Sequence, residues 1–590
     1  MTVLRIGGAA GFWGEAPHAT AQLLAAGVDV LVYDYLAEIT MSIMARARMK
    51  DPSAGYATDF VTDAMGPNLH QIATSGVRVL SNAGGVNPAA CAEALRARIA
   101  QEGLALKVAV VEGDDLLARA GDFSDRREMF SGAPMPAGDK IASINAYLGA
   151  GPIVAALDAG ADIVITGRCV DSALALAACI QRFGWDMADF DRLAAGSLAG
   201  HLLECGPQST GGNFTDWQQA GDIARIGYPV AEIGEDGGFV LTKPEGTTGV
   251  VNPASVGEQM LYEIGDPQAY LLPDVACDFS HVTLEQQGPD RVMVRGARGR
   301  PPTGSLKVSA TWADGYRAGT TLQFNGRNAA EKARAFAQAG LDRARAKLEA
   351  MGAPDYREVS FETFGGRPGE GAYEEIAFKA AVKHDDPRAV GLFLKELIGG
   401  ALATPPGLHF FTGGGRAKPS PVVALFSFLV ARGEVPVRVS LEGEEVAYRG
   451  SDGPIATAGE CERPAPPTVE AQEPEVTCDL EDIAWARSGD KGDSANIGVI
   501  ARDARFLPYI WRALDPQTVK ARFEDRCRGE VHRYFLPGTS SMNILMERTL
   551  GGGGVASLRN DAQGKGYAQE LLALPVRVPQ ALIEDIGKEG

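Results

Sequence analysis

The chain has 590 residues, 45% hydrophobic and 22% charged, which leaves room for roughly three or four ordinary globular domains. Lysine and arginine number 56 against 75 aspartates and glutamates, a net charge of −19. That balance argues against nucleic acid and against an anionic membrane surface as partners. None of the 8 cysteines forms a C-x-x-C pair, so zinc and iron–sulfur sites have no support. Thiols spread in this way fit a reducing cytoplasm. The N-terminus shows no basic region followed by an apolar one, and no run of about 18 uncharged apolar residues occurs.

Taken in chain order, short apolar runs alternate with helical patterns. Strands are predicted at Val3–Ile6, Val28–Tyr33, Val77–Leu80, Leu104–Val111 and Ala161–Ile165. Helices are predicted at Pro17–Ala26, Glu38–Met49, Pro88–Ile99, Pro152–Ala159 and Asp171–Ile180. Near-continuous apolar strands between helices predict an α/β domain with a mostly parallel sheet covered on both faces. From about Gly234 to Asn325, glycine, threonine and valine predict a β-rich insertion. A long helix over Asn328–Met351 and apolar runs at Val359–Thr363, Val390–Leu397 and Pro421–Leu425 suggest a return to α/β structure. Residues 453–475 read as a linker, dividing a large domain (1–452) from a small one (476–590).

Polar clusters fall at the predicted strand ends, where open α/β sheets bind ligands. Gly7-Gly8-Ala9-Ala10-Gly11 could cradle an anion, with Gly8 and Gly11 as contacts. Asp34 ends the next strand, where a dinucleotide fold places its ribose acid, but the glycine spacing is not that of an NAD fingerprint. Asn82, Gly84 and Gly85 form a second ligand-facing turn, with Asn87 as the cap of the following helix. Glu112, Asp114 and Asp115 crowd three carboxylates together. They would serve general acid–base chemistry through a raised pKa, or Mg²⁺ through oxygen ligands, or simply cap a helix. Arg168 suits bidentate recognition of a carboxylate or phosphate, with Asp171 orienting it or capping the following helix, or the two form a purely structural ion pair. Cys205 with His201 four residues earlier would make a nucleophile pair, or an inert core cysteine. The loop Lys243–Gly249 could wrap a substrate, or is a surface loop of the insertion. Lys491, in Arg487-Ser488-Gly489-Asp490-Lys491-Gly492-Asp493, reads as an anion-binding loop that lacks the Walker A spacing.

Together, GGAAGFWGE, SNAGGVNP, VEGDDL, TGRCVDSAL, LECGPQSTGG, KPEGTTGVVNP, RSGDKGDSANIG and the tail GGGGVASLRNDAQGKGYAQELL resemble the acyclic terpene utilisation AtuA family over essentially the whole chain. The resemblance implies a large α/β domain, an inserted region and a small ferredoxin-like α+β domain. It also implies a place in acyclic terpene or branched-acid catabolism, where intermediates are acyl-CoA thioesters. It carries no catalytic residue. The residues themselves point to an enzyme of hydratase, lyase or thioester-hydrolase type acting on a carboxylate or CoA thioester. Glu112 or Asp115 would be the base, Arg168 the carboxylate anchor and Lys491 a contact for CoA phosphates. A cysteine-dependent hydrolase and a non-catalytic binding or scaffold protein are the alternatives. A small-molecule substrate, a cytoplasmic location and a homo-oligomer are expected.

Overall fold

The computed structural model describes residues 2–366, 373–409, 417–450, 454–456, 463–469, 474–554 and 556–589. The main sheet has eleven strands. They are β1 (Val3–Ala10), β2 (Val30–Tyr33), β3 (Arg78–Ser81), β4 (Val108–Glu112), β5 (Ile163–Thr166), β6 (Val230–Gly234), β7 (Phe239–Thr242), β8 (Thr283–Gly288), β9 (Arg291–Arg295), β10 (Arg438–Leu441) and β11 (Glu444–Val446). Across the sheet the order is β8-β9-β7-β6-β1-β2-β3-β5-β4-β10-β11.

The five strands from β1 to β4 run parallel. Every side chain of β2 and β5 is buried, because helices cover both faces and leave no solvent side for polar alternation. One face packs Leu23, Met44, Phe60, Leu69 and Leu95. The helix Ala173–Phe183, apolar as far as Ile180, is buried along most of its length. All strands outside this parallel centre are antiparallel.

The expected β-rich insertion therefore begins by extending the main sheet: β7, β8 and β9 are its edge. The outer neighbour of β1 is the antiparallel β6. The crevice that a dinucleotide fold opens beside its first strand is not formed there.

The small domain is a four-stranded antiparallel sheet, ordered Ala484–Lys491, Ser494–Ala501, Ser541–Met546, Val531–Leu536. It has its own sheet but shares one compact unit with the main sheet (Met1–Thr311, Phe426–Thr549, Gly564–Gly590). Polar side chains tie the two sheets. Arg502 reaches both oxygens of Asp216 at 2.7 and 2.8 Å. Trp485 donates to the same carboxylate at 2.7 Å. Asn496 donates to the Leu261 carbonyl at 2.6 Å, and Asn543 to that of Ile264 at 2.8 Å.

The second unit comprises Trp312–Leu425 and Leu550–Gln563. Its strands Glu358–Gly365 and Glu374–His384 are antiparallel, and the latter pairs with the distal part of Ser305–Gly326. Helices Ala329–Ala350 and Pro387–Gly399 pack on it around Phe324, Phe336, Phe378 and Phe393. The expected return to α/β is thus antiparallel, and the run Val390–Leu397 lies in a helix.

Of the predicted linker, residues 453, 457–462 (with Cys461) and 470–473 lie outside the described residues. Within it, Arg463 is anchored to Asp266 at 2.5 and 2.7 Å. No helix among the described residues is long and apolar enough to cross a membrane.

Candidate functional site

The carboxyl ends of the parallel strands are knitted side chain to strand end. Asn82, after β3, donates to Asp34, after β2, and accepts from the Tyr35 amide at 2.7 Å. Asp114, after β4, accepts from the Arg168 amide at 2.8 Å and from Asn145 at 2.9 Å. The glycines make this closeness attainable. A Cβ on Gly84 would lie 2.5 Å from the Thr166 carbonyl oxygen, and one on Gly167 would lie 2.2 Å from the Asp114 carboxylate. Burial pushes Asp114 up to about 7. Burial and then the charge of Asp171 push Asp34 up as well, against the pull of Arg168.

Arg168 is the centre of the site. It is 4% exposed. One nitrogen, Nη1, donates to the Leu36 carbonyl and to Asp171, both at 2.8 Å. The guanidinium lies 4.3 Å from the Tyr147 ring centroid. Its Nε is fully enclosed and has no hydrogen-bond partner. Beside it, Tyr147 donates to Glu38 at 2.6 Å, and Lys307 stands 3.4 Å from the same oxygen. Although burial works the other way, Lys307, Arg168 and the Tyr147 hydroxyl hold Glu38 below the usual carboxylate range.

A histidine–carboxylate pair completes the charged cluster. His201 and Glu204 close the helix Phe190–Leu203, one turn apart. His201 Nδ1 meets Glu204 at 2.9 Å, and its Nε2 meets the Met260 carbonyl at 3.2 Å. Burial alone would lower His201, but Glu204 outweighs it and raises the imidazole. Burial raises Glu204 in turn. The charges of Asp171 and Glu204 reach Asp34, and that of Asp171 reaches Glu204. The pair and Arg168 therefore belong to one buried electrostatic system. Tyr270 neighbours the His201 ring at 5.9 Å, and Lys491 of the small domain lies 5.3 Å from the Tyr270 centroid. Next to Lys491, Lys565 binds Glu263 at 2.6 Å and Asp490 at 3.2 Å.

Several expectations change. The first glycine cluster is not an open anion cradle. A Cβ on Gly8 would lie 2.4 Å from the Leu203 carbonyl oxygen, and one on Gly11 would lie 2.8 Å from that of Glu204. These glycines let the helix end that carries Glu204 press onto β1. The Gly11 amide is already taken by Glu15 at 2.6 Å. Gly85 needs its positive φ of 55° and packs against Met44 and the Gly55 carbonyl. Asn87 does not cap its helix; its amide donates to the Pro52 and Ala54 carbonyls.

The acidic triplet disperses. Glu112 faces Arg438 at 3.9 Å, and Asp115 pairs with Arg48 at 3.1 Å and caps the Leu117 amide. Only Asp114 points into the site. Among the described residues no three His, Cys, Asp or Glu side chains stand together as a metal ligand set, so Mg²⁺ gains no support from the triplet. Cys205 is no nucleophile partner of His201, whose two nitrogens are both engaged elsewhere. Burial, and then Glu204 and Glu263, push its thiol well up, which keeps it protonated. In the Lys243–Gly249 loop, Lys243 pairs with Asp290 at 3.0 Å, and Thr247 bonds within the loop. The Lys491 motif is a two-residue β-hairpin, with Lys491 opposite Ser494 and Gly492 at φ 67°.

Glu38, Tyr147, Glu204, Tyr270, Glu263, Lys307 and Lys565 were not legible as site residues. They come from six separate segments, and no local spacing connects them. The Glu204–His201 spacing of three was the one available signal.

No curated protein and no solved structure matches the chain. Two family models do, in the order that the motifs led one to expect. The acyclic terpene utilisation family protein AtuA model matches residues 4–441, which hold the parallel sheet, Arg168 and the His201–Glu204 pair. The AtuA ferredoxin-like domain model matches residues 478–577, which hold Lys491 and Lys565. With the larger match spanning well over half its length, the chain belongs to the acyclic terpene utilisation AtuA family.

Proposed function

We propose that the chain is an acid–base enzyme of hydratase or lyase type, acting on a carboxylate or CoA-thioester intermediate of branched acyclic carbon skeletons. The observation that carries this reading is the enclosed Arg168 guanidinium, its Nε without a partner, in the same buried charge system as His201 and Glu204. An unpaired buried donor costs about 1–3 kcal/mol, which a substrate carboxylate would recover. The His201–Glu204 pair holds a proton in a desolvated place and is suited to give it and take it back during addition or elimination. Lys491 brings a positive charge from the small domain, suited to a second anionic group such as an enolate or a thioester phosphate. Family membership supports the carbon skeleton, and the site supports the class of chemistry.

The test uses the purified full-length chain with a branched enoate, its CoA thioester and the matching neutral alcohol. Binding is followed by thermal shift and turnover by loss of the conjugated enoyl absorbance. The acid or its thioester should stabilise the protein and turn over, and the alcohol should do neither. Arg168→Lys should lower kcat/KM about 100-fold, because a point charge does not replace the planar fork. Equal stabilisation by the alcohol, or undiminished turnover in His201→Gln, would remove the reading. Activity that survives thiol alkylation would further exclude a cysteine hydrolase.

A further inference from the structure

A second cleft lies beside the end of β2, on the side away from Asn82. Along β2 and just beyond it, side chains alternate. Asp34 turns to Asn82, whereas Tyr33 and Tyr35 on either side stack with ring centroids 6.2 Å apart and an interplanar angle of 2°. Next to these rings is a cleft of about 250 Å³, lined by Glu15, Thr20, Tyr33, Tyr35, Asp59 and Asp63. That volume suits a small ligand.

Three of these groups are acidic, and their situations differ. Glu15 is satisfied by the Gly11 amide and by the Tyr228 hydroxyl at 2.7 Å. Asp59 Oδ1 is fully enclosed and has no hydrogen-bond partner. Asp63 makes no hydrogen bond or ion pair among the described residues. Asp59 immediately precedes, and Asp63 belongs to, a π-helical turn, Phe60–Met65. Such turns re-aim side chains and recur at functional sites.

A separate observation comes from Tyr35. It is only 4% exposed, it lines the cleft, and its hydroxyl makes no hydrogen bond among the described residues. No lysine or arginine is paired with any of the three carboxylates among the described residues. The cleft thus combines the half-buried carboxylate of Asp59, the exposed carboxylate of Asp63, the unpartnered hydroxyl of buried Tyr35, two aromatic rings and the small apolar side chains of Ala9, Ala10 and Ala64.

We propose that this cleft binds a small organic cation, its ammonium facing Asp59 and Asp63 and its hydrocarbon part lying against the tyrosines and alanines. Carboxylates supply the charge and aromatic rings add to the attraction of a desolvated ammonium. A bare metal ion fits less well, since no three-ligand set is present among the described residues and much of the wall is carbon. The inference does not rest on the chemistry proposed for Arg168.

The experiment is titration calorimetry on the full-length chain with choline and with its neutral isostere 3,3-dimethylbutan-1-ol. Choline should bind, and the isostere should bind at least about tenfold more weakly. Asp59→Asn should weaken choline about tenfold and Tyr35→Phe about threefold, the latter through the lost bond to the choline hydroxyl, while His201→Gln leaves choline binding unchanged. Tyr35→Phe keeps the ring and decides the matter should Asp59→Asn fail to fold. Equal binding of the isostere, no binding of choline at about 10 mM, unchanged affinity in Tyr35→Phe, or displacement of choline by an equal concentration of Mg²⁺ would each overturn the proposal.

Discussion

A methyl group on Gly8 would have to occupy space 2.4 Å from the Leu203 carbonyl oxygen, whereas one on Gly14 would meet nothing within 4 Å. The two glycines look alike in the sequence but answer to different physics. Gly8 permits a backbone contact that seats Glu204. Gly14 supplies a positive φ of 97°. Gly8→Ala should therefore destabilise by about 3 kcal/mol through overpacking against backbone, and Gly14→Ala by about 1 kcal/mol through its φ alone. Urea unfolding measures both; equal losses would show that the close approach is not the constraint. Cys205 belongs to the same scale. Its thiol is held neutral and His201 is occupied elsewhere, so Cys205→Ser should keep kcat within about twofold. A large loss would restore the nucleophile reading.

At the scale of elements, the hairpin formed by Ala484–Lys491 and Ser494–Ala501 carries a cation into the candidate site. Its glycines are shaped for that approach: a Cβ on Gly489 would lie 2.6 Å from Glu263, and one on Gly498 would lie 2.4 Å from Leu261. The motif read as an anion-binding loop is thus a strand pair whose tip delivers one charge. Lys491 itself is exposed. Lys491→Met should leave the melting temperature nearly unchanged and lower kcat/KM about tenfold; an unaltered kcat/KM would remove the small domain from the site. The Arg502–Asp216–Trp485 contact holds this domain in place. Asp216→Ala leaves Arg502, Trp485 and Gln219 without their acceptor and should cost about 2 kcal/mol, with KM raised more than kcat is lowered. A change confined to stability would separate docking from catalysis.

Across the whole molecule, buried carboxylates dominate the dependence on pH. Burial raises Asp114, Glu258 and Asp490 to about 7. Each is protonated in the folded chain at a pH where the unfolded chain has already released its proton. The folded state binds more protons between roughly pH 4 and 7, so stability falls as pH rises through that window. His201 has the same sign, because Glu204 raises it. Glu38 and Glu263 act oppositely: their cationic neighbours hold them low, and their contribution is lost only in acid. The melting temperature should therefore be higher at pH 6 than at pH 8. Asp114→Asn keeps an acceptor for the Arg168 amide and should flatten that difference. A melting temperature that rises from pH 6 to pH 8 would contradict the assignment.

The alternation that makes a parallel sheet, the position of polar clusters at strand ends, and the family are all legible along the chain. Each is written locally: apolar runs of strand length, glycines at turns, motifs in a set order. Arg168, with Asp171 three residues on, was legible for the same reason. The structure alone decided which glycines admit backbone rather than ligand, and that Asp114 turns inward while Glu112 and Asp115 face arginines. It also decided that His201 answers to Glu204 and not to Cys205, and that the small domain lends Lys491 to the main sheet. These outcomes depend on segments hundreds of residues apart being brought within a few ångströms. Burial then sets the cost of every charge, and no spacing along the chain encodes it.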